Sequence, residues 1–203
     1  MKALLLAIVC VSFAAGSAWG QAGHIGIYRD TAGMSCNLDD KTPGLTPYYI
    51  VHAMTGGATA CQYSAPKPAC LQAMYLSDTN VFGVTVGSSQ TGVSIGYGNC
   101  RIGSIHVQTM NFFTQGSTLP CCEYWTCPDP LAGSGEILVV DCNMNLISAS
   151  GMRSIVNATF ACNCDMMCLS MDCIEALYRT SSNCFGVPVE DATWGRVKDA
   201  YSE

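Results

Sequence analysis

Apolar and polar positions trade places along this chain over short runs, and the runs are punctuated by Gly, Asn, Ser and Pro. The alternation is cleanest in Ile105-His106-Val107-Gln108-Thr109-Met110, where a period of two gives a strand one face in a core and the other in water. The same reading predicts strands over 24–28 (HIGIY), 48–54 (YYIVHAM), 81–86 (VFGVTV), 92–97 (GVSIGY), 104–113 (SIHVQTMNFF), 136–141 (EILVVD) and 155–161 (IVNATFA). Breaker-rich stretches at 87–92 and 129–135 read as turns or loops. Short strands divided by turn signals point to an antiparallel sandwich or barrel. Helical spacing is confined to the end of the chain. Ser170 can cap a segment carrying Ile174, Leu177 and Tyr178 on one side, and a second short helix is expected after Pro188, over about 190–201, with Trp194, Val197 and Tyr201 on one stripe. The class expected is mainly β, with one or two short helices in a C-terminal extension.

The first twenty residues read differently. Lys2 precedes an apolar run from Ala3 to Ala15, and the small-residue segment Gly16-Ser17-Ala18-Trp19-Gly20 follows. That is the layout of a secretory signal peptide cleaved after Gly20. Cys10 does not read as a lipoprotein acceptor, because Ala7-Ile8-Val9 before it lacks the small residues such processing prefers. The organisation expected is a signal peptide over 1–20, a β-sandwich domain over 21–145, and a Cys-rich extension over 146–203 that completes or packs on the same domain. No later apolar run reaches the length of a membrane span, so no insertion is expected after cleavage. Formal net charge is −6, charged residues make up 12% of the chain, and no run of like charge occurs. That distribution excludes the clustered cations on which nucleic-acid and anionic-membrane binding rest. With 49% hydrophobic residues, the chain has the means to form a packed core.

Secretion makes disulfides the expected state of the cysteines. Beyond Cys10 these are Cys36, Cys61, Cys70, Cys100, Cys121, Cys122, Cys127, Cys142, Cys162, Cys164, Cys168, Cys173 and Cys184. The densest stretch, CNCDMMCLSMDC from Cys162 to Cys173, has spacings C-x-C, C-x₃-C and C-x₄-C. Zinc modules use paired knuckles, and redox exchange and haem attachment use C-x-x-C, which occurs nowhere in the chain. Staples are therefore expected, with no metal and no cofactor. An odd number of cysteines leaves at least one free or bonded to another chain. Adjacent Cys121 and Cys122 are expected to serve two partners, since a bridge between neighbours is badly strained. Cys61 with Cys70, and Cys122 with Cys127, flank short loops whose ends could meet, although spacing alone does not fix connectivity.

Catalytic signals are weak. Gly92-Val93-Ser94-Ile95-Gly96 matches G-x-S-x-G, but a helix should follow the serine and a Gly-rich segment does. His24, His52 and His106 lie in three different expected strands, with no H-x-H or H-E-x-x-H pairing. Asp39 and Asp40 beside Asn37 lack the EF-hand spacing. Glu123, Asp129, Glu136 and Asp141 could form a carboxylate pair only if folding brought two of them together. No catalytic residue is assigned on this basis. Among the adjacent aromatic pairs Tyr48-Tyr49, Phe112-Phe113 and Tyr124-Trp125, the last lies between two cysteines, and an exposed ring there would serve a protein or glycan ligand. Asn157-Ala158-Thr159 fits the N-glycosylation pattern.

The stretches GHIGIY, YGNCRIGSIHVQTMNFF and PVEDATWGRVKDAY resemble segments of uncharacterised secreted bacterial proteins. The resemblance covers roughly residues 23–142 and 188–201. It implies a bacterial periplasmic or extracellular setting and an immunoglobulin-like sandwich, and it brings no catalytic residues. The chain departs from that group in its density of cysteines between Cys162 and Cys184. The expectation that results is a secreted, disulfide-stabilised binding or structural module. A hydrolase or metal-dependent enzyme assembled in space, and a self-associating surface subunit, are the alternatives.

Overall fold

The computed structural model describes residues 22–167. The strands are β1 (His24–Tyr28), β2 (Asn37–Leu38), β3 (Gly44–Tyr63), β4 (Ala73–Asn80), β5 (Val84–Ser88), β6 (Gly92–Thr114), β7 (Cys122–Trp125), β8 (Ile137–Asp141), β9 (Leu146–Gly151) and β10 (Arg153–Val156), followed by one helical turn, α1 (Cys164–Met167). The two helices expected at 170–178 and 190–201 lie outside the described residues. Among the described residues α1 is the only helical segment of the mainly β fold.

Two strands organise everything else. β3 has 20 residues and β6 has 23, far beyond the usual five or six, and they pair antiparallel from Gly44 opposite Thr114 to Tyr63 opposite Val93. The register slips repeatedly between Ile50 and Ala60, and each slip sharpens the local twist. The pair bends there into two limbs. In the first limb β1 lies outside β3 and β4 outside β6. In the second, β8 and then β9 lie outside β3, and β5 lies outside β6. A short parallel contact of β9 with β1, His24 opposite Ser150, closes the circuit β1-β3-β8-β9. A second sheet, β2-β10-β7, covers the first limb.

The inward residues of both limbs and of the small sheet form one core. Ile25, Ile27, Tyr48, Ile50, Met110 and Phe112 come from the first limb, Tyr63, Val93, Ile95, Ile137 and Val139 from the second, and Leu38, Tyr124 and Val156 from the small sheet. This is a β-sandwich in which the bent strands contribute to both walls. β1 is buried on both faces: His24, Gly26 and Tyr28 point away from Ile25 and Ile27, and Tyr28 joins a second cluster with Cys36, Val51, Met152 and Ile155.

The sequence reading divided β6 into two strands, because Gly98-Asn99-Cys100-Arg101-Ile102-Gly103 looks like a loop. The backbone instead stays paired through the bend, where these residues face water. β2, β4, β7 and β9 were not anticipated, and the strand expected over 155–161 ends at Val156 and begins earlier, at Arg153.

Disulfides fasten the corners. Cys36–Cys164 spans 128 residues and holds α1 against the start of β2; Cys70–Cys122 ties the segment before β4 to β7; Cys121–Cys162 holds the segment after β10; Cys100–Cys142 pins the bend of β6 to the end of β8. In the chain-entropy account, a bond closing a loop as long as the first lowers the unfolded state's entropy by the equivalent of roughly 5 kcal/mol. Cys127 is also disulfide-bonded, while Cys168, Cys173 and Cys184 lie outside the described residues. Cys121 and Cys122 do serve two partners. The two loop-closing pairs do not form: Cys70 bonds Cys122, and Cys61, expected among the staples, is a buried free thiol. Its side chain points into the core beside Ile95, away from the surface loop that carries Cys70.

Two glycines are required by close approach. A Cβ at Gly57, whose φ is +151°, would stand 2.7 Å from the Cys142 sulfur, and one at Gly151 would stand 2.3 Å from the Thr126 carbonyl oxygen. The second lies at the junction where β1 meets the small sheet. There the Thr126 hydroxyl donates to the Ile25 carbonyl and accepts from the Met152 N–H at 2.8 Å, and Ser154 donates to the Ile27 carbonyl at 2.6 Å. Carbonyls on the edge of β1 that lack a full strand partner are satisfied in this way. Thr126→Val keeps the shape and orphans buried groups, which costs about 1–3 kcal/mol. The urea midpoint should fall by the corresponding amount with an unchanged slope; a midpoint within error of wild type would show the junction to be dispensable.

Candidate binding face

The side chains singled out in the sequence are dispersed by the fold. Tyr124 is fully buried: its hydroxyl donates to the Ala65 carbonyl at 3.0 Å and its ring meets Phe112 edge to face. Trp125, the next residue in the same strand, faces outward. Its indole N–H donates to Glu123 at 3.2 Å, and the Arg153 guanidinium sits over the ring while pairing with Glu123 at 2.9 Å. Of the two rings considered for a ligand, only the indole reaches the surface, and an ion pair caps it. The reason is strand alternation, with β7 paired to β10 where a free loop was expected.

Three of the four carboxylates considered for chemistry have separate structural tasks. Asp129 accepts from Gln62 and the Leu131 N–H; Asp141 caps its own turn, and the side-chain amide of Asn145 together with the N–H groups of Asn145 and Asn143 holds its carboxyl below the usual range; Glu123 pairs with Arg153. The oxygen cluster considered for calcium also comes apart. Asp39 accepts from the Lys41 N–H, Asn37 donates to Asn163 and Asp165, and Asp40 is buried against Asn157. Asn157 adopts a left-handed φ of +54° and donates its amide hydrogens to Asp40 and to the Thr118 carbonyl. The nitrogen that would carry a glycan is thus turned inward and engaged. Ser94 of the G-x-S-x-G match lies mid-strand in β6, opposite Gln62 and Val86. Cys36, Cys164 and Asp165 are close enough to share an ion, but the two sulfurs are bonded to each other.

Folding does unite two histidines that the sequence left apart. β1 pairs with β3 so that Ile25 lies opposite His52 and His24 opposite Ala53. His52 donates from Nε2 to the Ala22 carbonyl at 2.6 Å, which leaves Nδ1 to accept from the Tyr97 hydroxyl at 2.9 Å. His24 Nε2 bonds the Tyr28 hydroxyl at 2.7 Å, and that hydroxyl also contacts the Met152 sulfur. Burial, and for His24 the proximity of His52, lowers both pKa values, that of His24 to about 4. The Tyr97 hydroxyl also lies beside Cys61, whose thiol burial pushes up to about 12. A thiol with that pKa and no exposure is unreactive. His106 stands apart, its ring edge-on to Tyr49.

The surface with the strongest character was not among the sequence candidates. It is the outer face of the second limb, running β9-β8-β3-β6-β5. Across it, register places Leu146 opposite Val140, Ala60 opposite both Val140 and Gly96, and Gly96 opposite Val84. The next row holds Leu138, Gln62, Ser94 and Val86. Val84, Val86 and Leu146 are 66%, 73% and 64% exposed, and none of these positions carries a charge. Gly96 leaves a shallow groove of about 320 Å³ between the flanking valines and leucines. The signal was present in EILVVD: four successive apolar residues mean burial on both faces or an apolar outer face, and the expected sandwich did not distinguish them.

Comparison with known proteins gives no family model and no curated protein that matches the chain. Among solved structures, a cohesin module from a Clostridium perfringens ATCC13124 family 33 glycoside hydrolase is similar at a TM-score of 0.44 and 10% identity, over 68% of this chain and 99% of that one. The sixth cohesin of Acetivibrio cellulolyticus scaffoldin B, solved with a mutant Cel5 dockerin, is similar at 0.40 and 10%, over 67% and 98%.

The buried histidines set a pH dependence. A pKa lowered in the folded state means that the stabilisation is complete above the unfolded value of 6.5 and is lost as pH falls from there toward the folded value. For His24 the loss between pH 7.5 and pH 5 should be roughly 2 kcal/mol, seen as a falling urea midpoint that His24→Gln flattens. Alkylation followed by peptide mapping should leave Cys61 unlabelled in the native protein and label it fully in denaturant. Native labelling at the unfolded rate would contradict its burial.

Proposed function

We propose that this protein is a secreted, disulfide-stabilised β-sandwich that acts as a binding or structural module, without catalysis, in the envelope or extracellular space of a bacterium. The observation that carries the reading is the continuous uncharged apolar face over β9-β8-β3-β6-β5. A soluble surface rarely leaves such a patch uncovered, and where one occurs it marks a partner. The partner is a protein surface of matching apolar character. A glycan would require exposed rings, and Tyr124 is buried while Trp125 is capped by Arg153. Placement outside the cytoplasm rests on the staples, which persist only in an oxidising compartment, and on the signal-peptide layout of the first twenty residues. The sandwich is immunoglobulin-like in having two β-layers over one core, and differs in the bent strands that belong to both walls.

The test places a photo-crosslinking residue at Ser94, in the middle of the face, in protein expressed by the cell that secretes it. A discrete adduct is expected, reduced at least about tenfold by Val140→Lys, since a charge buried in an apolar contact costs more than about 1.4 kcal/mol. Absence of an adduct, or an adduct indifferent to Val140→Lys, would reject the face as the binding site.

A further inference from the structure

Resting on that reading, we propose that the partner at the β5 margin of the face is a second copy of this chain, with the two β5 strands pairing antiparallel about a two-fold axis at Thr85.

The described part of the main sheet has two strands that hydrogen-bond only to β6, namely β4 and β5. Sheet edges of soluble proteins are guarded against strand addition by charges, prolines or bulges. β4 is guarded, with a bulge between Tyr75 and Ser77 and a charge at Asp78. β5 is not. Its sequence, Val84-Thr85-Val86-Gly87-Ser88, has no charge and no proline, and it pairs with β6 without any register shift. Val84 and Val86 stand outward at 66% and 73% exposure, and Thr85 turns inward opposite Ile95.

Charge does not oppose a like partner here. The chain carries a formal −6, so two copies repel over most of their surfaces. The rows leading to β5 (Val84, Gly96 and Ala60; Val86, Ser94 and Gln62) carry none of that charge. The two carboxylates nearest β5 are already engaged: Asp129 is buried and bonded to Gln62, and Asp78, half-buried, accepts from Ser88 and Ser89 at the far end of the strand from Val84. Two copies therefore meet at β5 without facing like charges and without desolvating an ion. A two-fold contact is self-complementary: with Thr85 opposite its mate, Val84 of one chain lies across from Val86 of the other, on the same outer face, twice. Aliphatic β-branched cross-strand pairs are favourable, and the two five-stranded faces join into one apolar surface. A five-residue strand pair buries less than the roughly 1,200 Å² of a tight complex, so the dimer is weak, with a Kd of about 10 μM or above.

The test combines sedimentation equilibrium from about 10 μM to about 1 mM with thiol trapping by Val84→Cys and Val86→Cys. These exposed positions leave the core untouched, and the native disulfides and melting curve of each variant should match wild type. Wild type is expected to show a monomer–dimer equilibrium. Under mild oxidation, a mixture of the two variants should form a covalent dimer, and either variant alone should form little, because Val84 and its own mate sit diagonally, beyond disulfide reach. A wild-type chain that is monomeric throughout overturns the proposal. So does trapping of each variant alone as readily as the mixture, and so does a dimer abolished by Val140→Lys while the mixed thiols fail to bond, which would mean packing face to face. That last result leaves the binding face standing. Mixed trapping without an adduct at Ser94 would do the reverse, supporting the edge and rejecting the wider face.

Discussion

The antiparallel pairing of β3 with β6 is the constraint on which the other elements depend. Each strand is long enough to serve both limbs, so the same two backbones supply inward residues to two opposed walls, and every other strand of the large sheet is an addition to one of their edges. Sharing strands in this way needs a bend that keeps its hydrogen bonds. The register shifts between Ile50 and Ala60 provide the bend, and the Cys100–Cys142 bond fixes β8 against it at the point where only Gly57 leaves room for the sulfur. Local backbone irregularity, a glycine and a disulfide thus act on one place, and the core between the limbs follows from it.

Polar groups in this fold are largely committed to holding backbone. Thr126 and Ser154 satisfy carbonyls of β1; Asp129 and Asp141 cap turns; Asp78 accepts from the Ser89 N–H at 2.8 Å and from the hydroxyls of Ser88 and Ser89; Asp165 accepts from the Cys36 N–H and from Ser35 and Asn37. A carboxylate whose oxygens are taken up by such donors acts as a clamp on the chain around it. The same holds for His52, whose two ring nitrogens are both engaged with neutral partners. What is left for interaction is apolar surface, and a continuous stretch of it with a groove at its centre lies on the outer face of the second limb.

How far the sequence was legible follows the same division. Period-two alternation located the later half of β6, and short β-branched apolar runs located β1, β8 and the start of β6, because the inward residues of each enter the core. It failed where a strand is held by pairing alone: β4 is exposed along most of its length, and the middle of β6 is Gly-rich and solvated, so neither shows a buried face. At Tyr124-Trp125 strand alternation sends one ring in and one out, but the outward ring is capped by Arg153, three strands later in the chain, a contact that no local pattern announces. Cysteine identity was legible and connectivity was not. Cys70 and Cys122 lie 52 residues apart and meet only because β7 crosses the first limb.

The free thiol at Cys61 and the apolar face are two sides of one strand. In β3, Cys61 points into the core beside Tyr97, while its neighbours Ala60 and Gln62 point out onto the face. Position 61 is therefore closed to the redox chemistry that the other described cysteines have undergone, since a bridge there would have to run through the core and displace Tyr63 or Ile95. The four disulfides between described residues sit instead at the bend, around the small sheet and on the loops, and none of these four crosses the outer face of the second limb. Covalent bonds between described residues thus hold the ends of the strands, and the cross-strand rows over β9-β8-β3-β6-β5 carry neither a bridge nor a charge. An apolar face that does not also have to stabilise its own fold is free to exchange water for a partner, and the staples elsewhere allow the protein to expose it without unfolding.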